Sequence, residues 1–156
     1  MIFKVFDLKL QKRMVDYANE DNVAEMTKFL RKKQPDLYNE IQMVSRDPRC
    51  YESAKFCLLY CAIALEQVEI IYECKIQKMK FYQFEITKRL IAQNKYNCNK
   101  RFVNIISRLE RHVINVQNFD DDDKFWITIV LGAFIILLDL QLENKEETID
   151  SYEYLI

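Results

Sequence analysis

A single glycine, Gly132, stands among the 156 residues of this chain, and that scarcity constrains the fold more than any other feature. Tight turns, phosphate-binding loops and nucleophile elbows use backbone conformations with a positive φ, which glycine adopts without strain. Compact β-hairpins and glycine-built active sites are therefore disfavoured. We expect an all-α protein whose connections are made by Asn, Asp and the two prolines.

Apolar residues recur at three- and four-residue steps along most of the chain, as on one face of a helix. This pattern predicts helices over about 2–18 and 22–33, and a short third helix after Pro35. Asp47-Pro48 is a typical helix start, because aspartate can cap the first free amides and proline fits the first helical position. The run at 56–65 is apolar on every side, which predicts a buried central helix over about 50–75.

The apolar spacing continues beyond this central helix without a proline or glycine. One helix from Pro48 to Lys95 would be about 70 Å long, too long for a compact domain with a radius of gyration near 15 Å. We therefore expect a break at about 76–80. A strand over 68–76 is the alternative, since apolar and polar residues also alternate there, although turn residues to close a hairpin are lacking.

The last third of the sequence predicts a linker at 94–99, an amphipathic helix over about 102–116 and an apolar helix over about 124–143. Four aspartates at 120–123 precede the apolar helix, where the helix dipole favours negative charge. Its longest apolar stretch, 14 residues, would be about 21 Å long, shorter than the roughly 30 Å of a membrane core. We expect a buried helix and no membrane span. We also expect an acidic tail at 144–156 that frays, apart from any docking of Tyr152, Tyr154 and Leu155.

Together these elements predict a single-domain bundle of about seven helices over residues 1–156. The five cysteines are odd in number and no secretory leader precedes them, so we expect a reduced, intracellular protein of the cytoplasm or nucleus. Cys57 and Cys61 would share a helical face, but no second cysteine pair follows, which favours core packing over zinc. We expect no metal, cofactor or catalytic group.

His112 is the only histidine, which excludes sites built on several imidazoles of one chain. Its surroundings, Arg108-Leu109-Glu110-Arg111-His112, resemble the arginine-to-histidine motif of helical HEPN-type ribonucleases, with three intervening residues where that motif has four to six. The resemblance implies an RNA-cleaving helical domain in which Arg108 and His112 form the active pair. The alternative is a histidine that flanks the apolar face of its helix.

A net charge of −1 conceals a strong asymmetry: residues 75–111 hold ten basic and two acidic residues, whereas 118–156 hold ten acidic and two basic. Cations interleaved with aromatic rings suit single-stranded nucleic acid. The candidate patch is Lys78, Lys80, Lys88, Arg89, Lys95, Lys100 and Arg101, among Phe81, Tyr82, Phe84, Tyr96 and Phe102. Two points oppose nucleic-acid binding. The spacing of the aromatic residues predicts that they face the core. The acidic segment can also neutralise the patch, within one chain or between copies of a homo-oligomer.

A small helical bundle without converging catalytic groups most often binds another protein, through a groove that accepts a partner helix. We therefore expect a non-enzymatic protein-interaction module. Trp126-Ile127-Thr128-Ile129-Val130 resembles the start of the central helix in the apoptosis-regulating B-cell-lymphoma family, many of whose members are viral. That family has Asn-Trp-Gly-Arg there, and this chain has Phe125, Ile127 and Thr128 around the tryptophan. The resemblance implies a viral-type regulator of apoptosis or host signalling that binds an amphipathic death-motif helix.

Overall fold

The computed structural model describes residues 20–115 and 119–156, in which all regular structure is helical and no strand is present. The prediction of an all-α fold is confirmed. The α-helices in these ranges are α1 (Glu20–Lys33), α2 (Pro35–Val44), α3 (Tyr51–Ile71), α4 (Phe81–Ala92), α5 (Lys100–Leu109) and α6 (Asp121–Leu142). Shorter 3-10 helices span Pro48–Cys50, Tyr96–Cys98 and Glu146–Leu155, and α5 continues into a π-helix, Glu110–Ile114. The helix predicted over 2–18 lies outside the described residues.

The described residues form two compact units, one ending at Met79 and the other beginning at Lys80. They are called the N-terminal and C-terminal units below. The single domain expected over residues 1–156 stays a prediction.

The N-terminal unit packs α1 and α2 against α3. Asp47 accepts a hydrogen bond from the Arg49 amide, and the 3-10 turn at Pro48 leads directly into α3, as the Asp-Pro pair predicts. The segment after α3 is fixed by Gln34, a buried side chain. Its Nε2 donates to the Gln77 carbonyl at 2.8 Å, and its Oε1 accepts from the Met79 amide at 2.8 Å.

The central helix is shorter than predicted, because α3 ends at Ile71 and the chain leaves the helix at Glu73. Glu73 has a φ of 50°, and the Cys74 amide donates back to the Glu69 carbonyl, which is a Schellman motif. The same motif ends α4 at Asn94 and α6 at Asn144, with φ values of 57° and 54°. These left-handed positions are normally glycine. The break therefore begins before the expected 76–80, and the strand alternative over 68–76 is wrong.

In the C-terminal unit, α4 and α5 pack against α6. The Asp120 side chain accepts a hydrogen bond from the Asp123 amide at 2.8 Å and caps α6, which starts three residues before the predicted boundary. By length and composition α6 could cross a membrane, with a mean hydropathy of 2.2, although 67% of that window is buried inside the protein. This burial agrees with the expected core helix, and the absence of a membrane span stays a prediction.

The acidic tail differs from the predicted frayed segment. Residues Glu146–Leu155 form a 3-10 helix, here called the C-terminal strap, which packs mainly against α4. Ile149 of the strap is fully buried, and Asp150 accepts hydrogen bonds from Tyr82 and Gln83. An apolar anchor and specific polar contacts therefore hold a segment whose charge alone predicted exposure.

Candidate functional site

The C-terminal unit contains a groove of about 410 Å³ formed by three successive parts of the chain. The first is the end of α4 with the turn after it, the second is the π-helix with Asn115, and the third is the first three turns of α6. The lining residues are Ile91, Ala92, Asn94, Tyr96, Glu110, Ile114, Asn115, Asp121, Lys124, Phe125, Thr128 and Ile129. Residues 116–118, between the second and third parts, lie outside the described ranges.

Local sequence signals shape two of these parts. Asn94 takes the left-handed conformation that ends α4, so the chain turns away and places Tyr96 beside the groove. At the end of α5, the Asn115 amide donates to the Glu110 carbonyl at 3.1 Å, a five-residue step that widens the helix. Such π-turns are rare and occur frequently at functional sites.

The groove has an apolar floor and a polar, charged rim. Ile91 and Ile114 are buried, whereas Phe125 at the mouth is 59% exposed. The lining carboxylates are Glu110 and Asp121, opposed by the ammonium group of Lys124. This combination suits a ligand with apolar anchors and a polar periphery.

Tyr96 is a partly buried tyrosine of the groove lining. Burial raises the pKa of its phenol, and the nearby negative charge of Glu110 raises it further. The phenol is therefore neutral at physiological pH and can donate or accept a hydrogen bond. The Thr128 hydroxyl donates to the Lys124 carbonyl at 2.7 Å. These groups provide binding contacts, and the described lining holds no nucleophile paired with a base.

The candidate nucleic-acid patch is partly engaged by the chain's own residues. Lys88 pairs with Glu85 at 2.9 Å and lies 5.3 Å from the centre of the Phe84 ring. Lys95 donates to the Leu155 carbonyl. The remaining cations outside the Arg101 cluster are exposed: Lys78 in the N-terminal unit, and Lys80, Arg89 and Lys100 in the C-terminal unit. Nucleic-acid binding and homo-oligomerisation both stay predictions.

Arg101 belongs to a partly buried ion cluster that was not predicted from the sequence. Its guanidinium binds the carboxylate of Asp139, which is 1% exposed near the end of α6, and also pairs with Glu143. The hydrogen bond to Asp139 raises the pKa of Arg101, and the hydrogen bond from Arg101 lowers that of Glu143. Asp139 itself could have indicated this cluster from the sequence, because a charged side chain within an apolar helix needs a partner of opposite charge.

The aromatic residues of the patch are divided between core and surface. Phe84 and Phe102 are buried as the spacing predicts, and Tyr96 is partly buried. Phe81 and Tyr82 are 52% and 49% exposed, so the prediction that they face the core is wrong. Both lie in the first turn of α4, where Gln83 and Phe84 occupy the buried positions.

The remaining candidates are the Arg108–His112 pair and the two cysteines of the central helix. Arg108 is exposed in the last turn of α5, and the His112 side chain is outside the described part of the structure, so the ribonuclease pair stays a prediction. Cys57 and Cys61 are fully buried, and burial raises the pKa of both thiols. No group of three or more metal-ligating side chains occurs among the described residues.

No protein-family model, curated protein or solved structure matches this chain. The resemblances to HEPN-type ribonucleases and to the B-cell-lymphoma family therefore rest on the residues quoted for them.

Proposed function

We propose that this protein is a non-enzymatic interaction module whose groove in the C-terminal unit binds an amphipathic helix of a partner protein. The observation that supports this most is Phe125, a large apolar side chain left 59% exposed at the mouth of a groove with an apolar floor. Helix-in-groove recognition depends on apolar anchors placed every three or four residues along the ligand. A groove of about 410 Å³ lies within the size range of ligand-binding clefts.

The charge of the rim favours a basic ligand. Glu110 and Asp121 line the groove beside one cation, Lys124, and Asp120 and Asp122 are exposed immediately next to it. Complementary charge mainly increases the association rate and selects the partner. The partner helix should therefore present leucine-type anchors on one face and Lys or Arg around them.

Binding of a model peptide tests this proposal. We would titrate the full chain with a helical peptide of Leu anchors and Lys elsewhere, and with a matched peptide carrying Glu in place of Lys. The single tryptophan, Trp126, adjoins Phe125 and provides a fluorescence signal. We expect saturable binding of the Leu/Lys peptide and at least about tenfold weaker binding of the Leu/Glu peptide.

A pair of variants locates the binding. Phe125→Ser should weaken binding of the Leu/Lys peptide at least about tenfold, because an exposed aromatic anchor is lost. Tyr51→Ser is the matched control, since Tyr51 is 52% exposed in the N-terminal unit, and it should leave the affinity unchanged. Equal affinity for the two peptides would contradict the proposal, and so would an unchanged affinity of the Phe125→Ser variant for the Leu/Lys peptide.

A narrower version of this function is regulation of apoptosis or host signalling. It is supported by the stretch that resembles the B-cell-lymphoma family, because Thr128 and Ile129 of that stretch line the groove. A panel of amphipathic death-motif peptides tests it in the same fluorescence assay. Binding of these peptides that depends on Phe125 would support it, and no binding would reject it.

A further inference from the structure

The C-terminal strap is attached in an unusual way for a ten-residue segment. It is a 3-10 helix throughout, although runs of this helix beyond three or four residues are uncommon because their hydrogen bonds are poorly aligned. Ile149 is its one fully buried side chain. Tyr154 is 83% exposed, whereas Tyr152 and Leu155 are half-buried.

The surface beneath the strap offers hydrogen-bond donors to a carboxylate. Gln83 is buried, with an exposed fraction of 3%, and its Nε2 donates to Asp150 Oδ1 at 3.2 Å and to the Glu146 carbonyl at 3.3 Å. The neighbouring Tyr82 hydroxyl donates to Asp150 Oδ2 at 3.3 Å. Two donors from the first turn of α4 thus bind both oxygens of one carboxylate.

A second set of contacts holds the aromatic residue that follows. The Asn99 side-chain amide donates to the Tyr152 hydroxyl at 3.0 Å, while its carbonyl oxygen caps α5. The Tyr152 ring packs on the buried ring of Phe102, with the two centres 5.6 Å apart. Lys95 donates to the Leu155 carbonyl at the end of the strap.

The fit of the strap is nevertheless incomplete. Oε2 of Glu146 is buried without a hydrogen-bond partner among the described residues, which opposes docking because its lost hydration is not replaced. One apolar anchor, one doubly bound carboxylate and one aromatic ring are contacts that a peptide from another protein can also make.

We infer that this face of the C-terminal unit, here called the strap site, is a recognition site for an acidic segment of a partner protein. The strap site comprises Tyr82, Gln83, Lys95, Asn99 and Phe102. Its ligand would carry the pattern found in the strap, Ile149-Asp150-Ser151-Tyr152: an isoleucine anchor, an aspartate directly after it and an aromatic residue two positions later. The exposed cations Lys80, Arg89 and Lys100 on the same elements complement an acidic ligand.

In this chain the strap fills the site in cis and competes with the partner. A tethered segment acts at an effective concentration in the millimolar range, so a partner must bind more tightly than the strap or meet a chain whose strap is released. This site is separate from the proposed peptide groove, since no strap-site residue lines that groove.

The test uses the full chain with a loosened strap. Ile149→Asp removes the apolar anchor, and a labelled peptide of residues 145–156 with the natural sequence is the probe, followed by fluorescence anisotropy. We expect the variant to bind the peptide at least about tenfold more tightly than the unmodified chain, because the competing strap is released. A peptide with Asp150→Asn should bind more weakly, and a peptide with Tyr154→Ala should bind equally well.

Two further measurements keep the result interpretable. Hydrogen exchange should show faster exchange in the strap of the Ile149→Asp chain and unchanged protection in α6, and chain Asp150→Asn is the milder variant if Ile149→Asp does not fold. Three results would overturn the inference: no peptide binding to a folded chain with a released strap, equal binding to the unmodified chain, or no effect of Asp150→Asn in the peptide. A dimer formed by exchange of straps would assign the site to a second copy and overturn the partner proposed here.

Discussion

Gly132 and Ile106 lie so close together that a Cβ atom on Gly132 would stand 2.5 Å from Cδ1 of Ile106. The same Cβ would stand 2.9 Å from Cδ1 of Ile91, so the one glycine lies in α6 where α4 and α5 approach it. Its φ is negative. The glycine therefore serves close packing and not a turn, because a Cβ atom there would require the terminal methyl groups of Ile106 and Ile91 to shift. It occurs here although glycine inside a helix costs about 1 kcal/mol relative to alanine.

This contact predicts that Gly132→Ala destabilises the protein despite the better helix propensity of alanine. Overpacking of a core typically costs about 1 to 3 kcal/mol, and the propensity gain of about 1 kcal/mol reduces this to a net loss of up to about 2 kcal/mol. Ile106→Val removes Cδ1, so the double variant should lose less stability than the two single variants together. Urea unfolding of all four chains measures this coupling, and strictly additive losses would show that the contact is unimportant.

The left-handed conformation of Glu73 leads to a second prediction. Glu73→Gly should raise the free energy of unfolding by about 0.5 to 1 kcal/mol, because glycine adopts this conformation without the strain of a side chain. Asn144→Gly is the matched control at an equivalent helix end, and asparagine already tolerates the conformation. If Asn144→Gly raised the free energy of unfolding as much as Glu73→Gly, backbone strain at Glu73 would not be the cause.

Tyr60 provides a prediction about the buried core of α3. Its hydroxyl is buried and has no hydrogen-bond partner among the described residues, and burial raises the pKa of the phenol strongly. Because an unpaired buried polar group costs about 1 to 3 kcal/mol, Tyr60→Phe should leave stability unchanged or raise it by about 1 kcal/mol. Tyr152→Phe, which loses the bond from Asn99, should lower it. Thermal unfolding compares the two, and a destabilised Tyr60→Phe chain would indicate a partner for this hydroxyl.

Glu143 should make stability depend on acidic pH. The hydrogen bond from Arg101 holds the pKa of this carboxyl below its ordinary value, so the group stabilises the fold above about pH 4.3 and this contribution is lost as the pH falls through the folded pKa. We expect the urea concentration at the unfolding midpoint to decrease as the pH is lowered from about 5 to about 3. This decrease should be smaller for Glu143→Gln than for the unmodified chain, whereas Glu147→Gln, at an exposed strap position, should show the same decrease as the unmodified chain. Equal slopes for both variants would contradict the assignment.

The local parts of the fold were predictable because their causes are close in sequence. Asp47-Pro48 and Asp120 act on amides within three residues, and the apolar run at 56–65 requires burial wherever it lies. The end of α3 was not predictable in the same way, because Glu73 adopts a conformation that its residue type disfavours.

The groove and the strap site were beyond prediction for a different reason. Asp150 is held by residues of α4 more than sixty positions away, and an acidic composition gives no indication of such docking. Phe81 and Tyr82 fit an apolar periodicity yet face outward. The groove joins three parts of the chain, and sequence reasoning could not indicate that these parts meet.

Nuclear magnetic resonance mapping of peptide binding tests the central proposal most directly. The isotope-labelled full chain would be titrated with the Leu/Lys helical peptide, and backbone amide shifts would be followed residue by residue. We predict saturable changes at groove residues, foremost Tyr96, Glu110, Phe125 and Thr128, and their loss in the Phe125→Ser chain. The proposal would be contradicted if the amide shifts changed only at other residues, or if no amide shift changed at millimolar peptide.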